Sequence, residues 1–235
     1  MFARIATLGL VIALCASGAQ AQRFNIDFND PYAAPSLGGG PPSSFFGAAA
    51  GQAGYWNAIP MSWSWAWDLQ DLTGAYTNVD VAVAISDSIS GQSAYNPLTT
   101  GDYALLLNDA RQVGYTDPGG YQIYTFTGLE NGPYQVYTYA APPSGGISAT
   151  PVVVPGSTSA NPQVVTGPIP ADSFALGLTH SLHDVLVTDG TLVVNITMPP
   201  GVEGGGWVAG MQIVPEPAAL VLLALGGLLI ARKWR

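Results

Sequence analysis

Three tryptophans, Trp63, Trp65 and Trp67, alternate with Ser62, Ser64 and Ala66. On an extended chain they project from one face at intervals of about 7 Å, because a strand rises ~3.3 Å per residue. That spacing suits a ladder on which sugar rings stack. It equally suits a sheet face buried in a core, and Leu69, which continues the same face, favours the core. Tyr137 and Tyr139 pose the same choice, with packing between strands favoured again. Both histidines fall in His180-Ser181-Leu182-His183-Asp184. Three apart on a strand, they point to opposite faces, so a shared metal ion is not expected and a strand-edge or loop pair is. Asp27, Asn29 and Asp30 gather hard oxygen donors, which makes Asp27 and Asp30 candidates for calcium. Calcium needs six to eight oxygens, however, and no EF-hand pattern supplies them. The remaining acids are expected to be solvated loop residues. No Gly-x-Ser-x-Gly elbow or P-loop occurs, and no carboxylate pair stands out for glycoside hydrolysis. The chain therefore offers no catalytic residue and no required cofactor.

Composition narrows the partners. The 235 residues carry 6 Lys and Arg against 15 Asp and Glu, a formal net charge of -9. Nucleic acid is excluded as a partner, because phosphate binding needs basic patches that this chain lacks. Charged residues are 9% of the chain, against about 25% in an average soluble domain. The single cysteine, Cys15, rules out a disulfide-stapled scaffold.

The elements that must position these residues read as strands. Val79, Val81, Val83 and Ile85 alternate with Asp80, Ala82 and Ala84, the period-two pattern of a half-buried strand. Similar runs cover 24–28, 62–67, 121–126, 134–139, 149–154, 183–188, 191–198 and 207–213, which predicts about nine or ten strands. Asp189-Gly190 between two such runs predicts a two-residue hairpin. Leu105-Leu106-Leu107 fits a buried strand or a short helix. Stretches 37–54 and 140–146 are Gly/Pro/Ser-rich loops within one domain. The fold class expected is all-β: an antiparallel β-sandwich or jelly roll over residues 22–213.

The two ends read as addresses. Residues 1–21 have the form of a secretory signal peptide: Arg4, an apolar run, and Ala19-Gln20-Ala21 as a small-x-small cleavage site, with Ala19 and Ala21 at its key positions. At the other end Pro215-Glu216-Pro217 precedes the uncharged run 218–231, and Arg232, Lys233, Trp234 and Arg235 follow. The run predicts a single transmembrane helix. At about 21 Å it falls short of the ~30 Å hydrocarbon core, so flanking residues must help it span. The basic stop of Arg232, Lys233 and Arg235 predicts a cytoplasmic C-terminus.

Residues 214–235 resemble the PEP-CTERM sorting signal of bacterial surface proteins, through Val214-Pro215-Glu216-Pro217, the apolar run and the basic end. The resemblance implies an exosortase, a membrane transpeptidase, as partner. Pro215, Glu216 and Pro217 would be its processing motif, and the inner membrane a transient anchor before release to the cell surface or an exopolysaccharide matrix. The body resembles galactose-binding-like jelly-roll modules, through Ile26-Asp27-Phe28, Gly54-Tyr55-Trp56-Asn57, Phe126-Thr127-Gly128-Leu129, Val187-Thr188-Asp189-Gly190 and Gly210-Met211-Gln212-Ile213. That resemblance implies a sandwich with carbohydrate as its ligand class. The leading expectation is a non-enzymatic, exported, sorted surface or matrix protein. The alternative is a carbohydrate-binding module acting as a surface adhesin, and a secreted hydrolase comes third.

Overall fold

The computed structural model describes residues 22–86, 90–113, 120–198 and 206–216. The signal-cleavage residues Ala19 and Ala21, together with Pro217, the apolar run 218–231 and Arg232, Lys233 and Arg235, lie outside the described residues. Among the described residues no helix is long and apolar enough to cross a membrane.

The alternating runs do form strands. Along the chain they are β1 (Phe24–Asn29), β2 (Trp56–Pro60), β3 (Trp65–Ala66), β4 (Asp80–Ile85), β5 (Ser90–Ser93), β6 (Asp109–Gln112), β7 (Tyr121–Thr127), β8 (Gly132–Tyr139), β9 (Thr150–Val153), β10 (Gln163–Val165), β11 (His180–Val187), β12 (Leu192–Thr197), β13 (Trp207–Val208) and β14 (Gly210–Pro215). Helix α1 (Gly101–Leu107) resolves the Leu105-Leu106-Leu107 ambiguity, with Ala104, Leu106 and Leu107 buried. A five-stranded sheet has the order β11-β8-β14-β1-β2, and a six-stranded sheet has the order β10-β9-β12-β7-β4-β3. A small third sheet orders β13-β6-β5.

The two large sheets face each other as a β-sandwich. Phe28 on β1 meets Tyr124 on β7 with ring centroids 4.9 Å apart, linking one sheet to the other. Val81, Phe126, Val194 and Ile196 bury from the six-stranded side; Ile26, Val136, Met211 and Ile213 bury from the five-stranded side. The alternation in β4 is as expected: Val81 and Val83 face the core, while Ala82 and Ala84 face outward.

Several expectations need correction. Fourteen strands are present among the described residues, more than the nine or ten expected, because two- to four-residue strands carry no readable period. The pairing is not wholly antiparallel, since β1 and β2 run parallel, with Asn25 opposite Trp56 and Phe28 opposite Ile59. Asp189-Gly190 does not close a hairpin. Its flanking strands lie in different sheets, β11 against β8 and β12 against β7. Gly190, at φ 75, turns the chain from one sheet to the other. Its N–H donates to Asn131 Oδ1 and its carbonyl accepts from Leu129 N–H, so this crossing rests on the parallel crossing from β7 to β8.

The body also runs further than residue 213. Val214 and Pro215 pair with Gln135 and Tyr134 of β8. Pro215 is buried, and the Glu216 N–H donates to the Pro133 carbonyl at 2.9 Å. Two residues of the expected processing motif, Pro215 and Glu216, are therefore tied to the end of β8.

β1 is buried on both faces. Its inward residues are Phe24, Ile26 and Phe28. Its other face is covered by the long loop 37–54, which supplies a polar layer. Asn25 Nδ2 donates to the Gln52 carbonyl, Gln52 Nε2 and Gln212 Nε2 donate to Asn25 Oδ1, and Tyr139 donates its hydroxyl proton to Gln212. Gln52 Oε1 is the acceptor of this layer left without a hydrogen-bond partner, a local cost within a buried polar network.

Candidate functional site

The tryptophans sit at the edge of the six-stranded sheet. Only Trp65 and Ala66 form ladder pairs, Trp65 opposite Ala82 and Ala66 opposite Val81. Residues directly opposite on antiparallel strands share a face. Val81 is in the core, so Ala66 faces inward and Trp65 outward beside Ala82. The alanine methyl cannot cover an indole. Trp63, Trp65 and Trp67 are 55%, 51% and 68% exposed, and Tyr76 is 76% exposed. The three indoles therefore lie outside the core, contrary to the favoured reading of a buried sheet face, and leave their faces open to solvent.

The reason lies at Asp68. Its φ is +50°, a left-handed conformation that Asp tolerates better than most residues. An extended chain would keep Leu69 on the same side as the three indoles. The left-handed residue breaks the alternation and turns Leu69 into the core, where it is 3% exposed. The bend is held from both sides: Asp68 N–H donates to Asp80 Oδ1 at 2.9 Å, and Leu69 N–H donates to the Val79 carbonyl at 2.8 Å.

The rings of Trp65 and Trp67 are 5.7 Å apart and inclined by 34°. With Trp63, Tyr76 and Asp68 they line an open cavity of about 640 Å³. A second cavity, about 390 Å³, shares Ser62 and Trp63 with the first and adds Asn29, Asp30 and Tyr32. Tyr32 is exposed. An indole face that is half in water offers apolar area and a π-surface, the features that stack against the C–H face of a sugar.

Beneath the platform lies Arg111 of β6, which is fully buried. Its Nη2 donates to the carbonyls of Pro60 and Trp63, and its guanidinium carbon lies 4.7 Å from the Phe28 ring centroid. Burial lowers its pKa. The carbonyl bonds tie the turn that carries Trp63 to the sandwich. The cation–π contact compensates part of the cost of burying the charge.

The calcium candidates do not converge. Asp27 is wholly buried, and neither of its carboxylate oxygens has a hydrogen-bond partner. Asp30 lies at the surface, where its Oδ1 accepts the Tyr32 N–H and its Oδ2 accepts from Ser93. Among the described residues no group of three or more His, Cys, Asp or Glu could hold a metal ion. The neighbour of Asp27 is Asp109 of β6. Burial pushes the Asp109 carboxyl up to about 9, and the charge of Asp30 adds to the rise. Burial, and then the charge of Asp109, hold Asp27 well above the usual carboxylate range. Neither carboxyl lines either cavity. Burial therefore favours the protonated form of both carboxyls.

The histidines behave as expected on an edge strand. β11 ends the five-stranded sheet. His180 pairs opposite Tyr139 and His183 opposite Val136, so the two rings take opposite faces. His180 stacks on Tyr137 at 5.8 Å and meets Phe174 edge-on, and burial lowers its pKa to about 4. Tyr139 is fully buried, whereas Tyr137 is half-buried in the same aromatic group. Tyr76, Asp68, Tyr32 and Arg111 had no sequence signal linking them to the tryptophans. The bend at Asp68 and the Gln70–Tyr76 bridge place the first two, and the Arg111 bonds to the Pro60 and Trp63 carbonyls place Arg111.

No protein-family model matches this sequence, and no curated protein matches it. Solved structures with partial likeness include a family 35 carbohydrate-binding module from Clostridium thermocellum, at 12% identity and TM-score 0.37, covering 57% of this chain and 92% of that one. Another is a Xyl-CBM35 in complex with a glucuronic acid containing disaccharide, at 15% identity and TM-score 0.27, covering 45% and 80%. A third is the exo-beta-1,3-galactanase of Phanerochaete chrysosporium, at 16% identity and TM-score 0.34, covering 63% of this chain and 32% of that one. Likeness at these TM-scores assigns neither a family nor a ligand.

Proposed function

We propose that this chain is a non-enzymatic carbohydrate-binding protein of the cell surface or extracellular matrix, built on a jelly-roll-like sandwich. One observation carries the reading: Trp63, Trp65, Trp67 and Tyr76 are solvent-exposed together around a single cavity. A folded protein that leaves three indoles in water forgoes roughly 1.5–3 kcal/mol for each large side chain it could bury. Grouped exposure of that kind marks a binding surface. The cavity is lined by one carboxylate, Asp68, and no pair of acids faces across it as glycoside hydrolysis requires. That supports a binding role over a hydrolytic one.

Export and sorting by an exosortase-type enzyme, with the inner membrane as temporary anchor, form part of the same proposal. The signal-like residues 1–21, and the proline motif, apolar run and basic end that follow one another in the sequence over 214–235, support them. A glycan array probed with the wild-type chain and with a Trp65→Ala/Trp67→Ala variant tests the binding role. Wild-type signal on polysaccharides that the variant loses is expected; silence of the wild type across the array removes the proposal. Expression with and without an exosortase, followed by mass spectrometry of the C-terminus, tests the sorting role. A tail retained in both cases contradicts it.

A further inference from the structure

We propose that the polysaccharide bound at this platform carries protonated amines, as a de-N-acetylated hexosamine polymer does. The proposal rests on the carbohydrate-binding reading above and deepens it.

Four aromatic side chains line the larger cavity, and the ionisable side chain with them is the acid Asp68. Across the shared wall of Trp63, the smaller cavity repeats the combination with Tyr32 and Asp30. Aromatic faces beside a carboxylate suit an organic cation twice over. The ring quadrupole attracts the ammonium, and the carboxylate accepts a charge-assisted hydrogen bond from it. An uncharged sugar stacks on the same indoles but gains nothing from either acid.

A polyuronate fares worst. The cations among the described residues are Arg23 and Arg111. Neither lines a cavity, and Arg111 is buried beneath the platform, donating to the carbonyls of Pro60 and Trp63. A uronate carboxylate at the indoles would therefore meet Asp68 with no counter-charge, on a chain of net charge -9. Asp80 adds to the negative potential, since its Oδ1 accepts the Asp68 N–H at the foot of the cavity.

The test compares three probes on the full folded chain by tryptophan fluorescence: fully de-N-acetylated chito-oligosaccharide, its N-acetylated counterpart of the same length, and oligogalacturonate. The amine form should bind about tenfold more tightly than the N-acetylated form, and the uronate should not bind. Added salt should shrink the preference. Asp68→Asn, which keeps the left-handed bend accessible, should bring the two chito-oligosaccharides to near equality. Asp189→Asn, an exposed acid at the β11–β12 crossing that lines neither cavity, should leave the preference unchanged. Equal or tighter binding of the N-acetylated form overturns the inference while sparing the carbohydrate reading. So does an equal loss of preference in Asp68→Asn and Asp189→Asn, which would trace it to overall charge. Silence of all three probes, joined by silence across neutral polysaccharides, overturns both.

Discussion

Replacing Asp109 by Asn should stabilise the protein at alkaline pH and flatten its pH dependence. The folded carboxyl is pushed up to about 9, far above the ordinary carboxylate range, chiefly by burial. Between pH 7 and 8.5 the unfolded chain therefore carries no proton on Asp109, while the folded chain still holds one. For an acid with a raised folded value, stability is fully present at low pH and is lost as pH rises through the folded value. The loss is at most about 1.4 kcal/mol per pH unit, or about 2 kcal/mol across this window. The window lies above the ordinary histidine range, so His180 and His183 do not titrate within it. Asparagine keeps an acceptor for the Asp30 N–H, which Asp109 Oδ2 now accepts at 2.8 Å, and has no proton to lose. Urea unfolding at pH 7 and 8.5 should show the wild type losing stability and Asp109→Asn losing less than half as much. The variant should be the more stable of the two at pH 8.5. A cation between Asp27 and Asp109 would keep both ionised and abolish the wild-type slope, so excess calcium should leave the slope unchanged. A flat or rising wild-type profile, or a variant with the same slope, would refute the buried neutral pair.

Further predictions follow from the same geometry. Gly38 has φ +93°, and a Cβ there would lie 2.5 Å from Asp109 Cγ; Gly38→Ala should cost about 2–3 kcal/mol in urea unfolding. Trp65→Ala should cost about 1 kcal/mol of stability but weaken glycan binding roughly tenfold, whereas Leu69→Ala, buried beyond the Asp68 bend, should cost about 2–4 kcal/mol. Burial depresses the His180 value to about 4; stability from this group is present above the ordinary histidine value and lost as pH falls toward 4, so thermal scans of His180→Phe should show a shallower acid decline than wild type.

Much of the sandwich was legible because one rule, period two, governs half-buried strands. Val81 and Val83 inward with Ala82 and Ala84 outward was readable directly. β2 was not, because Trp56-Asn57-Ala58-Ile59-Pro60 does not alternate cleanly: Asn57 is buried through bonds to the carbonyls of Asn25 and Gln70. The tryptophan spacing was visible, but its direction was not. That depends on a left-handed Asp68, which no residue pattern announces. Asp189-Gly190 announced a turn correctly; whether a turn joins neighbours in one sheet or crosses between two is decided by long-range pairing. The contact of Asp27 with Asp109 likewise belongs to the sheet packing, and the sequence near Asp27 pointed instead to Asp30.

On the proposed reading, the exposed indoles of Trp63, Trp65 and Trp67 hold carbohydrate. Electrophoresis of the folded chain through native gels that contain polysaccharide measures this directly, with Trp65→Ala/Trp67→Ala run alongside. The wild type should be retarded by at least one polysaccharide, and the variant, equally folded by circular dichroism, should migrate freely. Retardation that survives loss of both indoles, or none for the wild type in any polysaccharide, would contradict the account.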